Sequence, residues 1–168
     1  MILHLIRHPK PQVAPGICYG QLEIPAKNDK AQIERLQAAL PPGLPLWSSP
    51  AQRCRILAEA LHPQPVFDER LREMNFGRWE GLMWDAIPRH ELDAWAADVG
   101  DFVPPGGESA RQVLARSLDF IAGLSVPEAV LVTHAGVIRV LLAHFDGQVL
   151  ETCLDYRPDY ATLISLRT

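Results

Sequence analysis

Residues 2–6 (ILHLI) form a short apolar run that stops at Arg7-His8-Pro9, a pattern that predicts a buried first strand ending in a loop. The stretch from Pro9 to Pro25 holds four prolines and two glycines and predicts a long ordered loop. Such a loop directly after a strand is where function concentrates. Asn28 or Asp29 is placed to cap a helix carrying Ile33, Leu36 and Leu40, which Pro41-Pro42-Gly43 would stop. Leu44 to Ser48 reads as a second strand. Ser49 and Pro50 then fit the N-cap and first position of a helix with Cys54, Leu57, Ala58 and Leu61 on one face. Val66-Phe67 is a short third strand.

Residues 84–99 keep a helical rhythm that Pro88 breaks, and Val103 to Gly107 is a loop. Glu108 to Leu124 predicts an amphipathic helix, with Val113, Leu114, Leu118, Phe120 and Ile121 as its core positions. Ala129 to Thr133 reads as a buried strand, Gly136 to Phe145 as a helix, and Tyr160 to Leu166 as a closing strand. Strand and helix alternate throughout, the pattern of an α/β sandwich around a mostly parallel sheet. No repeat or linker interrupts residues 1–168, a length suited to one domain with a sizeable core.

Composition narrows the classes. Hydrophobic residues make up 48% and charged residues 21% of the chain, ordinary for a globular protein and against disorder. The net charge of -4, with Lys and Arg scattered, argues against a nucleic-acid partner. It leaves an anionic small molecule open, because a few converging arginines reverse the local potential of a cleft. Cys18, Cys54 and Cys153 form no CxxC pair and fit a reducing compartment. The apolar start meets Arg7 too early for a signal segment, and no run reaches membrane-spanning length. The expectation is a cytoplasmic protein with no membrane association.

In α/β sheets ligands sit beyond the carboxyl ends of the strands. Two such ends carry histidines, Ile6-Arg7-His8 and Val132-Thr133-His134. A neutral imidazole at His8 can attack phosphorus, provided its other ring nitrogen donates to a carbonyl. Arg7 beside it would bind the phosphoryl oxygens. Thr133-His134-Ala135-Gly136 repeats the arrangement, and free N–H groups of Ala135 and Gly136 at the helix start would favour an anion. Ser48-Ser49-Pro50-Ala51-Gln52-Arg53 sets an arginine in a first helical turn, against the dipole preference, which a bound anion would resolve. In Leu71 to Gly81 two acids, Glu73 and Glu80, are candidate proton donors to a leaving oxygen, and position alone does not choose between them. Singly, each of these features also reads as an ordinary surface or capping residue.

Taken in order, LIRH, SSPAQR, LREMNFGRWEGL, PPGGES and VTHAGVIR strongly resemble the histidine phosphatase (phosphoglycerate mutase-like) superfamily, from residue 2 to about residue 140. The resemblance implies a three-layer α/β/α sandwich with neither metal nor organic cofactor. It makes His8 the nucleophile that becomes phosphohistidine, with Arg7, Arg53 and His134 completing the phosphate pocket. Glu73 matches the usual proton donor, Glu80 a structural acid, and Glu108 a residue supporting the pocket from behind. The chain departs from the family at Pro9, Pro11 and Ala14, where glycine, a hydroxyl and asparagine are usual; Lys10 or loop N–H groups are the expected substitutes.

Only residues 82–106 can form a lid, and one so small fits hydrolysis better than mutase chemistry. The loop Gly16-Ile17-Cys18-Tyr19-Gly20 looks like that of α-ribazole phosphatases of cobalamin nucleotide-loop assembly. A small-molecule phosphate monoester with an aromatic base follows as the expected partner, with Tyr19, Trp79, Trp84 and Trp95 as candidate stacking surfaces, at least two of which are expected to fill core instead. Cys18 is expected to be a buried, inert thiol. Two other readings stay open: a broad sugar-phosphate or protein-phosphohistidine phosphatase, and a non-catalytic phosphate-binding module. The oligomeric state is not legible.

Overall fold

In the computed structural model, which describes residues 1–168, β1 (Ile2–Arg7) runs inside the sheet between β4 (Glu128–Thr133) and β5 (Leu163–Arg167). With β2 (Leu46–Ser48) and β3 (Val66–Phe67) the order is β3-β2-β4-β1-β5, all parallel except β5, which runs antiparallel to β1. Side chains alternate across the sheet as strand geometry demands. Leu3, Leu5, Ala129 and Leu131 face α4 (Ala110–Ala122) and α5 (Ala135–Phe145). Ile6, Val130 and Val132 face α1 (Lys30–Ala39) and α2 (Gln52–Leu61). Helices thus cover both faces. His4, the one polar residue in the apolar run, is buried with both ring nitrogens satisfied: Nε2 donates to Glu128 Oε1 at 2.7 Å and Nδ1 pairs with the Ser165 hydroxyl at 3.0 Å.

Register is what positions the site. Arg7 lies opposite Thr133, and Ser48 opposite Val132, so His8, Ser49 and His134 leave the sheet together at its carboxyl edge. A third cluster over this region packs Cys18 of the loop against Trp79 and Ile87, with α3 (Arg89–Ala97) alongside.

Several boundaries differ from the sequence reading, each for a local reason. The helix after β2 starts from Ala51 rather than Ser49, whose hydroxyl accepts from the Ala51 N–H at 3.3 Å and pairs with His134 at 2.8 Å. Glu108 lies outside α4, which starts after Ser109; the Ser109 hydroxyl and Gln112 side chain form a reciprocal cap. Residues 84–99 divide at Pro88 into a single 3-10 turn, Trp84–Ala86, and α3. The closing strand begins at Leu163, since Tyr160 and Ala161 are in a turn, Ala161 with φ of 49°. At the first helix Asp29, rather than Asn28, is the cap, accepting from Gln32 N–H at 3.1 Å. No helix is long and apolar enough to cross a membrane.

The 9–25 loop is ordered by two side chains reaching in from elsewhere. Arg53 donates to the carbonyls of Leu22 and Gly20, and the Glu80 carboxylate accepts from the N–H groups of Gln21, Leu22 and Phe76. Glu80 is therefore spent on structure.

Candidate active site

His8 is 1% exposed, and its Nδ1 lies 2.7 Å from the Pro9 carbonyl. A carbonyl only accepts, so Nδ1 carries the hydrogen and Nε2 is left with its lone pair. Burial, then the charge of Arg53, holds the imidazole down to about 3, with Arg7 adding to the effect and the Pro9 hydrogen bond opposing it. Pro9 supplies the carbonyl that fixes the tautomer, a task for which its missing N–H is irrelevant.

Two guanidiniums flank this neutral ring. Arg7, the last residue of β1, donates through Nη1 to the Pro158 carbonyl at 2.7 Å, with its Cζ 3.7 Å from the centre of the Tyr160 ring. Arg53, 0% exposed, is held by the loop carbonyls described above. Neither arginine forms an ion pair with a carboxylate. Each keeps a buried Nε without a hydrogen-bond partner, and these two are the only buried side-chain nitrogen or oxygen atoms in the protein so left. Buried polar groups are otherwise almost always satisfied.

His134 stands beside His8, ring centroids 5.1 Å apart, and burial keeps it neutral, followed by the repulsion that protons on both rings would bring and by the charge of Arg53. Its Nε2 pairs with the Ser49 hydroxyl and lies 3.4 Å from Cys54 Sγ. Glu73 approaches from the other side of the cleft. Its carboxylate accepts from Met74 N–H at 2.9 Å and Gly136 N–H at 3.1 Å, at the start of α5. This corrects one expectation: the Gly136 N–H is occupied by Glu73 and is not free for an external anion. The helix start still attracts a negative group, as its dipole requires, but that group comes from the protein itself. A Cβ at position 136 would run into Glu73 Oε1, so only glycine admits the carboxylate here.

Arg7, His8, Tyr19, Glu73 and Ala135 all line one cavity of about 190 Å3. Arg53 and His134 stand behind His8 and are not part of its surface. Trp84 and Trp95, stacked at 5.7 Å, form an apolar wall with Phe76. Trp79 is core, 1% exposed, with its indole N–H on Glu91. Lys10 lines a separate groove and does not reach this cavity. Cys18 is buried, its thiol pushed up to about 12 by burial and then by Glu80, an inert state.

Four residues with a part in the site are not marked as site residues by the sequence. Arg116 donates to the carbonyls of Arg70 and Glu73 and to Glu108, which itself accepts from Asn75 N–H; together they set the backbone that carries Glu73. Ser49 orients His134, Tyr160 covers Arg7, and Arg139 lines the cleft with Nε on the Tyr156 carbonyl at 2.6 Å. Each acts through a contact between segments far apart in sequence.

The neutral histidines make a prediction for stability. In the unfolded chain His8 takes up a proton near its usual 6.5, whereas the folded chain refuses it until about 3. The depressed value means that this contribution is whole above 6.5 and declines as pH falls toward 3, by on the order of 1 kcal/mol per pH unit. His134 acts in the same direction. Urea titrations at pH 7.5 and pH 5 should show the lower stability at pH 5; equal stabilities would mean that these rings are not held neutral.

With the geometry established, comparison with known proteins identifies the class. The profile of the histidine phosphatase superfamily (branch 1) matches residues 3–168: the chain belongs to that superfamily, and it is a phosphatase. A phosphoglycerate mutase from Thermus thermophilus superposes with a TM-score of 0.80 at 32% identity, covering 99% of this chain and 92% of that one. The α-ribazole phosphatase from Shigella flexneri superposes with a TM-score of 0.82 at 26% identity, covering 98% and 89%. Glucosyl-3-phosphoglycerate phosphatase from Mycobacterium tuberculosis is 40% identical over 92 residues, covering 45% of this chain and 40% of its own length. The five-stranded, mostly parallel sheet with its five helices is phosphoglycerate mutase-like.

Proposed function

We propose that this phosphatase hydrolyses α-ribazole 5′-phosphate through a phosphohistidine at His8, in the nucleotide-loop stage of cobalamin assembly in the cytoplasm. The observation that carries the chemistry is the pair of buried, unpartnered guanidinium Nε atoms beside a neutral imidazole. A phosphoryl dianion in the cavity satisfies the Arg7 nitrogen and balances the charges of both guanidiniums. His8 Nε2 attacks phosphorus, the P–N bond forms as the ester P–O bond breaks, and the leaving oxygen takes a proton from Glu73, which takes that proton up beforehand, as the phosphoryl dianion binds beside it. Water then attacks the phosphohistidine, Glu73 takes its proton, and the P–N bond breaks to release inorganic phosphate. Arg7 and the start of α5 at Ala135 meet the phosphoryl oxygens in the cavity, the Arg53 guanidinium offsets their growing charge from behind, and His134 backs the His8 ring.

The leaving group lies along the wall of Phe76, Trp84 and Trp95, with Tyr19 at the cleft surface. A flat aromatic base suits that wall, and the likeness to the Shigella enzyme supports the same substrate. Residues 82–106, which bring both tryptophans to the cleft, act as its lid. The substrate is a free small molecule, with no role for nucleic acid or membrane.

The test is phosphate release from α-ribazole 5′-phosphate beside nucleotides, sugar phosphates and phosphoglycerates, with chelator present. A preference in kcat/KM of at least about tenfold for the riboside is expected, with no loss to chelator. Equal rates across the panel would overturn the substrate assignment and leave a general phosphatase. Glu73→Gln should slow alkyl esters by about two powers of ten and p-nitrophenyl phosphate far less, since p-nitrophenolate leaves without a proton. Equal losses on both would remove Glu73 from that role.

A further inference from the structure

The turn that precedes β5 is built around the arginine at the end of β1. Pro158 accepts from Arg7 Nη1 at 2.7 Å, and the Tyr160 ring lies flat enough against the guanidinium that Cζ is 3.7 Å from its centroid. The Ala161 N–H donates to the Arg7 carbonyl at 3.0 Å, and the Tyr160 hydroxyl pairs with that of Tyr19 at 3.2 Å. Ala161 is the only non-glycine residue at positive φ, with φ of 49°, a conformation that persists where surroundings impose it and that clusters at functional sites. One element therefore grips Arg7 by its backbone, by one amino group and by one face.

What remains free is informative. Arg7 has no carboxylate partner, and with Nη1 committed to Pro158 its Nε and Nη2 are left without a protein partner. Those two N–H groups form the edge of a guanidinium that binds two oxygens of a phosphoryl group at once. A guanidinium stacked on an aromatic ring is attracted to it and loses its freedom to swing into solvent.

We propose that Tyr160 is a positioning residue that acts through Arg7: its ring holds the Nε–Nη2 edge toward the phosphoryl site. This rests on the reading above in which Arg7 binds phosphate. The hydroxyl contributes little, because the ring face makes the contact; its bond to Tyr19 fixes the wall of the cleft.

The experiment is a double-mutant cycle read as affinity for inorganic phosphate by calorimetry, with p-nitrophenyl phosphate kinetics alongside. Tyr160→Leu should bind phosphate about tenfold more weakly, and Tyr160→Phe should recover most of that loss. Should Tyr160→Leu not fold, Tyr160→Gln removes the ring at the same half-buried position. In an Arg7→Ala background the Tyr160 substitution should cost nothing further, an outcome that a merely structural role would not produce. Unchanged phosphate affinity in Tyr160→Leu, or the same loss with and without Arg7, overturns the proposal while leaving the phosphate site intact. Unchanged affinity in Arg7→Ala alone would instead overturn the phosphate-site reading, and this inference with it.

Discussion

Replacing His8 by alanine is expected to leave a folded protein that has lost at least about three powers of ten in turnover of every phosphate monoester. The ring is the one nucleophile in the cleft with a lone pair ready to attack, since the Cys153 thiol that also lines it is pushed up by burial and stays protonated. Its Nδ1 is tied to the Pro9 carbonyl, so Nε2 has no other task. The alternative, His134, has its Nε2 on the Ser49 hydroxyl and stands behind the cleft. Cys54, next to His134, is fully buried with its thiol pushed up by burial, and directs its S–H toward the Thr133 carbonyl. Folding should survive because β1 and its register involve the backbone up to Arg7, and the substitution leaves one carbonyl acceptor unpaired, a cost of about 1–3 kcal/mol. Hydrolysis of p-nitrophenyl phosphate, with circular dichroism on the same samples, checks both halves. Activity within tenfold of the parent would remove His8 as nucleophile.

Replacing Arg53 by alanine should cost about two powers of ten or more in kcat/KM, and it separates two roles that one guanidinium fills. Through Nη1 and Nη2 it pins the 9–25 loop, while its charge acts on the neighbouring His8. Without phosphate the two effects on stability oppose each other. Two charge-assisted hydrogen bonds are lost, but so is a fully buried charge that has no carboxylate partner. The net change should be small. With phosphate they no longer oppose, because a ligand that binds only the folded chain stabilises it by about 2.7 kcal/mol at one hundred times its Kd. The parent should thus gain thermal stability from phosphate and Arg53→Ala should gain little or none. A variant that keeps both the activity and the phosphate-induced gain would show that Arg53 serves the loop alone.

The layout of the site was legible because two strands end in histidine, and a parallel sheet brings such ends to one edge. Apolar runs at residues 2–6 and 129–133 were enough for that, and the ordered motifs gave Arg53 and Glu73 their places. What stayed hidden depends on tertiary contact. Ser49 looks like a helix cap, yet its hydroxyl also pairs with His134, a contact that depends on the register of β2 with β4. The Gly136 N–H looks free for an anion until Glu73 is seen to occupy it. Arg116 is one of several polar positions on an amphipathic helix, and only the fold shows that it carries the backbone around Glu73. Tyr160 read as the first residue of a strand, because alternation does not register the turn at Ala161.

If the phosphoryl group passes through His8, the covalent intermediate can be trapped there. The protein would be mixed with labelled phosphate monoester, quenched with base on the millisecond scale, and digested for mass spectrometry. Label that is stable to base, lost in mild acid, located on His8 and absent from His8→Ala is the predicted result. Steady turnover with no labelled enzyme at any time, or with label on another residue, would rule out a phosphohistidine at His8.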